Sequence, residues 1–423
     1  MNSICIEPKV LNGTVSMPPS KSAAHRAIIC ASLAKGVSVI NNVSLSNDIS
    51  ATVDCMRRLG ADITINGDTL VINGSHTLSV ASAVLDCGES GSTLRFLIPI
   101  AAVGGVRTTF VGHGKLPQRP IGVLTDCLPL HGTECTTQGG LPLSIQGQLH
   151  NGSFAVAGNI SSQFITGLLL ALPLLEGDSE IVLTSELQSS DYITMTTDAM
   201  KEFGVTVRRT AQGWHIPGGQ RYQPRNFKVE GDWSQAAFFM TAASLGGCIT
   251  IDNLNLNSSQ GDKACLELYK AFGADITVSE SGAITICRNR LNALEINAQN
   301  IPDMVPALAV TAALCTGTSV IYRAERLRIK ECDRLGAMAH NLKLLGADIT
   351  ETQDGLIING VPELKGGHVS GFNDHRIVMS MAAASVGCRN AVTVSDKESV
   401  NKSYPSFFED FERLGGCCHV IMG

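Results

Sequence analysis

Lysine, arginine and clustered hydroxyls recur in this sequence where helices are predicted to begin. The first stretch reads Pro18-Pro19-Ser20-Lys21-Ser22-Ala23-Ala24-His25-Arg26, and the second Gly88-Glu89-Ser90-Gly91-Ser92-Thr93-Leu94-Arg95. Asn159-Ile160-Ser161-Ser162-Gln163, Gly231-Asp232-Trp233-Ser234, Ile301-Pro302-Asp303 and Asn373-Asp374-His375-Arg376 follow. Ser, Asp and Asn are ordinary N-caps, so one such start signals only capping. A cation in the first turn is different, because it opposes the helix macrodipole and calls for an anion in front of it. Free N–H groups at the same helix ends strengthen that preference, so the pattern fits phosphate or carboxylate ligands. Further cations near a second set of helix starts are Arg119, the run Arg326-Leu327-Arg328-Ile329-Lys330-Glu331-Cys332-Asp333-Arg334, and Lys402. That run also fits a solvated helical face, with Lys330 and Arg334 at i, i+4. Asp303 equally fits an N-cap and Glu331 a surface charge, although carboxylates in such surroundings are also acid–base candidates.

The elements that must position these residues repeat. Glycines closing a helix before a polar/apolar alternation fall at 60, 132, 204, 273, 346 and 415, at intervals of 72, 72, 69, 73 and 69. A second series at Gly36, Gly105, Gly177, Gly247, Gly317 and Gly387 runs at intervals of 69, 72, 70, 70 and 70. Each of these is followed by a β-rich run, at 37–40, 107–111, 180–183, 248–251, 318–322 and 391–394. Glycine after a helix suits the left-handed C′ position. The unit reads as helix–strand–helix–strand–strand, with hairpins turning at sites such as Asn66-Gly67-Asp68, Ser281-Gly282 and Gln353-Asp354-Gly355. Six such α/β units fill 423 residues and are expected to pack three and three into two similar domains.

Composition narrows the partners. The chain is 44% apolar and 17% charged, with a formal net charge of −6, which is globular and carries no global basic field. Nucleic acid and anionic membrane surfaces are therefore not expected partners. The longest apolar stretch, 165–175, is about half the roughly 20 residues a bilayer span needs. The first residues lack the basic and apolar regions of a secretory signal. Fourteen cysteines without a CxxC pair or zinc-ligand spacing point to reduced thiols in the cytoplasm.

At this point the chain resembles a known family, the 5-enolpyruvylshikimate-3-phosphate synthases (EPSP synthases). The matching stretches are Ser20-Lys21-Ser22 with Arg26, Gly91-Ser92-Thr93-Leu94-Arg95, Gln118-Arg119-Pro120-Ile121-Gly122 and Ser161-Ser162-Gln163-Phe164. Ile301-Pro302-Asp303, Arg328 through Leu335, Asp374-His375-Arg376 and Lys402 complete the set, in family order and over the whole chain. The resemblance implies two inside-out α/β domains of three units, with a cleft between them that closes on binding. Residues 1–19 and 231–423 would form one domain, the first stretch as a strand, and residues 20–230 the other. It further implies transfer of the enolpyruvyl group of phosphoenolpyruvate to the 5-hydroxyl of shikimate 3-phosphate, with no metal or cofactor, by a cytoplasmic monomer.

The family's roles fall on matched positions. Asp303 is the implied base toward the 5-hydroxyl, Glu331 the proton donor to the methylene carbon, and Lys21 the lysine touching both substrates. Phosphoenolpyruvate would meet Lys21, Gly91, Arg119, Gln163, Arg334, Arg376 and Lys402. Shikimate 3-phosphate would meet Lys21, Ser22, Arg26, Ser161, Ser162, Gln163, Ser189, Tyr192, Asp303 and Lys330. His375 would orient Arg376 or serve as a structural histidine. Three positions depart from the family's common pattern: Glu89, where Asn is frequent, Phe96, often proline, and Arg326, often Asn. Glu89 would pair with Arg119 or Lys21, or turn outward. Gly91 is retained, and a Cβ there is expected to crowd the phosphonate inhibitor glyphosate. The sister family acting on UDP-N-acetylglucosamine places a cysteine before its Arg-Pro, whereas the loop from Gly112 to Pro120 has none. A repeat protein that merely binds anions is the other alternative.

Overall fold

A computed structural model describes residues 2–421. The chain divides into two compact units, one of Met1–Pro18 with Gly231–Gly423 and one of Pro19–Glu230. Each contains three buried helices, one per repeat. In the second unit these are α1 (Lys21–Leu33), α2 (Gly91–Val103) and α3 (Ser162–Ala171). In the first they are α4 (Trp233–Leu245), α5 (Val305–Ala313) and α6 (His375–Ala384). Their sequences are small and apolar on every side, which marks a helix without a solvent face. Every residue of α4 is buried, for example. Close approach is built in at Gly167, where a Cβ would press on the backbone of Arg95 and Phe96 in α2.

Among the described residues, six four-stranded sheets accompany these helices. One of them orders its strands as Ser82–Asp86, Arg107–Val111, Leu143–Gln146 and Glu134–Thr136, parallel across the first pair and antiparallel thereafter. The repeat therefore carries a strand before its first helix that the sequence pattern did not reveal. These leading strands are short, and Asn226–Lys228 and Glu295–Asn297 have only three residues each. Two sheets are closed by distant chain segments. Asn226–Lys228 pairs with Val37–Asn41, and Leu11–Ser16 pairs with Gly247–Asp252. The N-terminal segment forms two strands rather than one, since Ser3–Glu7 lies between Val392–Val394 and Cys417–Ile421.

The glycine series at 60, 132, 204, 273, 346 and 415 has φ between 79° and 105° at every member, the region a Cβ resists. In the second series, Gly36, Gly105, Gly247 and Gly317 have positive φ. Gly177 and Gly387 do not; each comes at or just after a 3₁₀ turn that ends its helix instead. The expectation of wholly reduced thiols fails at one pair. Cys248 and Cys287 lie opposite each other on antiparallel strands, with Cα atoms 4.0 Å apart, and are joined as a disulfide. The other cysteines are free. Among the described residues no helix is long and apolar enough to cross a membrane.

Candidate active site

Side-chain caps fix five of the six buried helix starts. Ser20, Ser90 and Ser161 accept from the N–H groups of Ala23, Thr93 and Gln163, while Asp232 and Asp374 accept from Ser234 and Arg376. The polar residues singled out in the sequence come immediately after these caps. Capping chemistry and site chemistry thus share the same short segments, and each unit assembles its own polar cluster.

In the unit of α1 to α3, Lys21 opens α1 and its Nζ lies 2.7 Å from the Asp48 carboxylate. Both side chains are largely buried, so the pair is firm and aims the ammonium. Arg26 is buried one turn further on. It donates to the Ser22 carbonyl, the Tyr192 carbonyl and the Thr196 hydroxyl. Phe96 packs against the same guanidinium at 5.3 Å and edge-on against His25. Burial lowers the His25 pKa to about 3, against the opposing pull of Asp48, so the ring is neutral and meets the Thr52 hydroxyl at 2.8 Å.

At the starts of α2 and α3, Gln163 donates to the Ser92 hydroxyl and accepts from Arg95. Arg95 also holds the Pro120 carbonyl, which fixes the loop carrying Arg119. A Cβ on Gly91 would stand 3.0–3.2 Å from the Arg119 guanidinium, so the absent side chain first makes room for this arginine. Arg119 itself is buried, just after a 3₁₀ turn, Leu116–Gln118. The Glu89 carboxylate lies over Gly114. Ser161 and Ser162 stand at the start of α3. Ser189 is buried with φ 55° just before the helix Ser190–Glu202, which bears Tyr192.

The other unit concentrates its charge around one arginine. The run 326–334 is not a continuous helix: a 3₁₀ turn, Glu325–Ile329, is broken before the helix Arg334–Leu344. The i, i+4 face is therefore not formed, and the break leaves Lys330 beside Asp303 and Glu331 on Arg334. Arg334, 1% exposed, meets Asp303 at 2.9 Å, Glu331 at 2.8 Å and Asp374 at 2.7 Å. Burial disfavours its charge, but Asp374, Glu331 and Asp303 together keep it protonated. Asp303 does not cap α5. Its carboxylate takes Arg334 on one oxygen and Arg376 at 3.1 Å on the other, with Lys330 at 3.9 Å. Burial raises its pKa, yet Arg376, Lys330 and Arg334 overcome that and hold the carboxyl well below its usual range. Glu331 is largely buried, not a surface charge, and Lys402 is 3.9 Å from it. Arg326 is buried and donates to the Gln299 carbonyl. His375 is buried with its Nδ1 3.7 Å from Asp374, whereas Arg376 is oriented by the carboxylate and carbonyl of Asp303.

Asp48 and Asp262 are supporting residues that the sequence did not mark, while Asp374 and Arg95, named there only within their motifs, turn out to hold Arg334 and Gln163. Asp262 bonds to Ser234 at the start of α4, and burial and then Asp303 push its pKa up to about 7. Asp374 carried a local signal as a cap, and Arg95 one as a cation at a helix start. Three carboxylates share one buried arginine, with Lys330, Arg376 and Lys402 nearby, an arrangement chemically able to hold anions and to exchange protons.

A family model described as EPSP synthase (3-phosphoshikimate 1-carboxyvinyltransferase) matches residues 6–411. The chain belongs to the EPSP synthase family. A relative from Clostridium perfringens (strain 13 / Type A), named 3-phosphoshikimate 1-carboxyvinyltransferase, is 48% identical over 98% of this chain and 99% of its own. One of the same name from Clostridium novyi (strain NT) is 46% identical over 98% of both. A solved EPSP synthase from Acinetobacter baumannii superposes with a TM-score of 0.84 at 27% identity, over the full length of both chains. The mixed α/β fold of repeated units is thus the family's fold.

Proposed function

We propose that the chain transfers the enolpyruvyl group of phosphoenolpyruvate to the 5-hydroxyl of shikimate 3-phosphate. The observation that carries this reading is the pairing of Asp303 and Glu331 on Arg334, with further cations around both. Asp303 takes the hydroxyl proton as the oxygen attacks C2, and Glu331 delivers a proton to the methylene carbon. The resulting tetrahedral carbon bears a methyl, a carboxylate, the new ether oxygen and the phosphate. Elimination then breaks the bond from C2 to the phosphate oxygen. A methyl proton returns to a carboxylate, the vinyl bond reforms and inorganic phosphate departs, aided by Lys21. Arg119, Arg334, Arg376 and Lys402 take the anionic groups of phosphoenolpyruvate, with Gly91 and Gln163 beside them. Ser22, Arg26, Ser161, Ser162, Gln163, Ser189, Tyr192 and Lys330 take shikimate 3-phosphate, and Lys21 meets both. We infer that the enzyme works in the cytoplasm as a monomer, without metal or cofactor in the reaction.

Two expectations follow from single residues. Gly91→Ala presses a methyl against the Arg119 guanidinium, so KM for phosphoenolpyruvate should rise about tenfold or more while KM for shikimate 3-phosphate holds; steady-state kinetics check this. Lys330 has a pKa lowered by burial to about 8, despite the attraction of Asp303. The unfolded lysine titrates near ~10.4, so between these values the folded state has already lost its proton. Rising pH relieves the cost of burying the charge, but it removes a phosphate ligand. KM for shikimate 3-phosphate should therefore climb as pH passes about 8, and Lys330→Met should flatten that limb.

A phosphate-release assay supplying phosphoenolpyruvate with each acceptor in turn tests the assignment. Release is expected with shikimate 3-phosphate alone. Release only with UDP-N-acetylglucosamine would replace the reading with the sister activity, and release with neither would favour a binding protein.

A further inference from the structure

Glu7, Cys417 and His419 form a cluster that uses none of the candidate active-site residues. Among the described residues they are the group of metal-ligating side chains whose donor atoms lie within 4.8 Å of one another. Glu7 ends the strand Ser3–Glu7 and pairs directly with Cys417 on Cys417–Ile421. Cys417 and His419 are two residues apart, so they share a sheet face with Glu7 and with Cys5, which pairs with His419. That face is the wetter one, since Ile4 and Ile6 point into the core.

The distances fit a ligand set. His419 Nε2 lies 3.4 Å from Cys417 Sγ and 3.5 Å from Glu7 Oε1. The second distance exceeds the roughly 2.7–3.2 Å of a normal N–H···O bond. Both match the edge of a tetrahedron around zinc, about 3.3–3.8 Å, as follows from Zn–N, Zn–O and Zn–S bonds of roughly 2.0–2.3 Å. One thiolate, one imidazole and one carboxylate also make a donor set suited to a borderline divalent cation. Lys9, 3.8 Å from the other Glu7 oxygen, opposes a cation, while Glu412 adds negative charge toward Cys417.

We propose that Glu7, Cys417 and His419 bind one zinc-like divalent cation that clasps the first strand of the chain to the last. Cys417 binds as thiolate, and the fourth position falls to water or to Cys5. A cation held only by the folded sheet stabilises it in proportion to the logarithm of its concentration over Kd. No local pattern marks the cluster, because Cys417 and His419 meet Glu7 through strand pairing.

The test titrates the full-length chain, stripped by chelator and kept in a phosphine reductant, with Co²⁺ and then with Zn²⁺ against a chromophoric chelator. One equivalent should bind with a thiolate-to-cobalt charge-transfer band. Cys417→Ser should abolish the band, His419→Ala should weaken Zn²⁺ binding tenfold or more, and Cys418→Ser should leave both intact. Zinc should raise the thermal midpoint of the wild type and not that of Cys417→Ser. Absence of the band in the wild type, or a band and affinity that survive both Cys417→Ser and His419→Ala, would overturn the proposal. All three variants should keep wild-type turnover in metal-free buffer.

Discussion

Asp303→Asn should lower kcat by roughly 10²- to 10⁴-fold, the usual range for a positioned acid–base group. The replacement keeps the shape of the side chain and removes the charge that accepts the hydroxyl proton. In the free protein that charge occupies Arg334 and Arg376 at 2.9 and 3.1 Å, two cations assigned to phosphoenolpyruvate. Substrate anions must therefore compete with Asp303 for the arginines. As they take over, the cations that depress its pKa are shared, and the carboxylate becomes a better base. The asparagine variant should accordingly combine the loss in kcat with an unchanged or lower KM for phosphoenolpyruvate. Glu331→Gln should lose kcat on a similar scale, because it removes the donor to the methylene carbon. Steady-state kinetics on both variants decide the matter, and near-normal turnover in both would remove the assignment.

The second large effect concerns stability. Arg334→Met should destabilise its unit by ~3–5 kcal/mol, the typical cost of leaving a buried partner charge unpaired. Asp374 is 0% exposed and would lose the guanidinium that holds it at 2.7 Å. It would keep its capping bond to Arg376, a contact with the Cys332 thiol and the ring of His375 at 3.7 Å, none of which replaces the guanidinium. For a unit of this size the thermal midpoint should fall on the order of 10 °C. Calorimetry should show the shift, and Arg334→Met combined with Asp374→Asn should recover part of it, because the orphaned charge is then gone.

The repeat and the residues at helix starts were legible because they are local. Glycines forced to positive φ recur every 69–73 residues, and Ser20, Ser90, Ser161, Asp232 and Asp374 cap where their types suggest. Most leading strands were not legible, since those of three or four residues, such as Ser153–Val156, carry too little alternation to stand out. Neither were the partners that aim the site. Lys21 finds Asp48 across 27 positions, Arg334 finds Asp374 across 40, and Arg95 finds Gln163 across 68. Lys21–Asp48 is created by the packing of two helices within one repeat, and the other two pairs by the packing of neighbouring repeats, which no local spacing encodes. The break at Lys330–Asp333 has the same origin. Charges at 326, 328, 330 and 334 suit a helical face locally, but pairing with Asp303 and Asp374 draws the chain out of helix before Arg334. Cys248 and Cys287 meet within one repeat, but only once its strands pair in the folded sheet.

The addition–elimination chemistry assigned to this site makes a direct demand on hydrogen exchange. Protonating the methylene carbon creates a methyl group, and elimination removes one of its three hydrogens. Turnover in D₂O, followed by mass spectrometry and proton NMR of the product, reads this out. The account predicts a product heavier than shikimate 3-phosphate by the enolpyruvyl group, with solvent deuterium in its vinyl methylene. A product without deuterium, or no product bearing an enolpyruvyl ether, would contradict it.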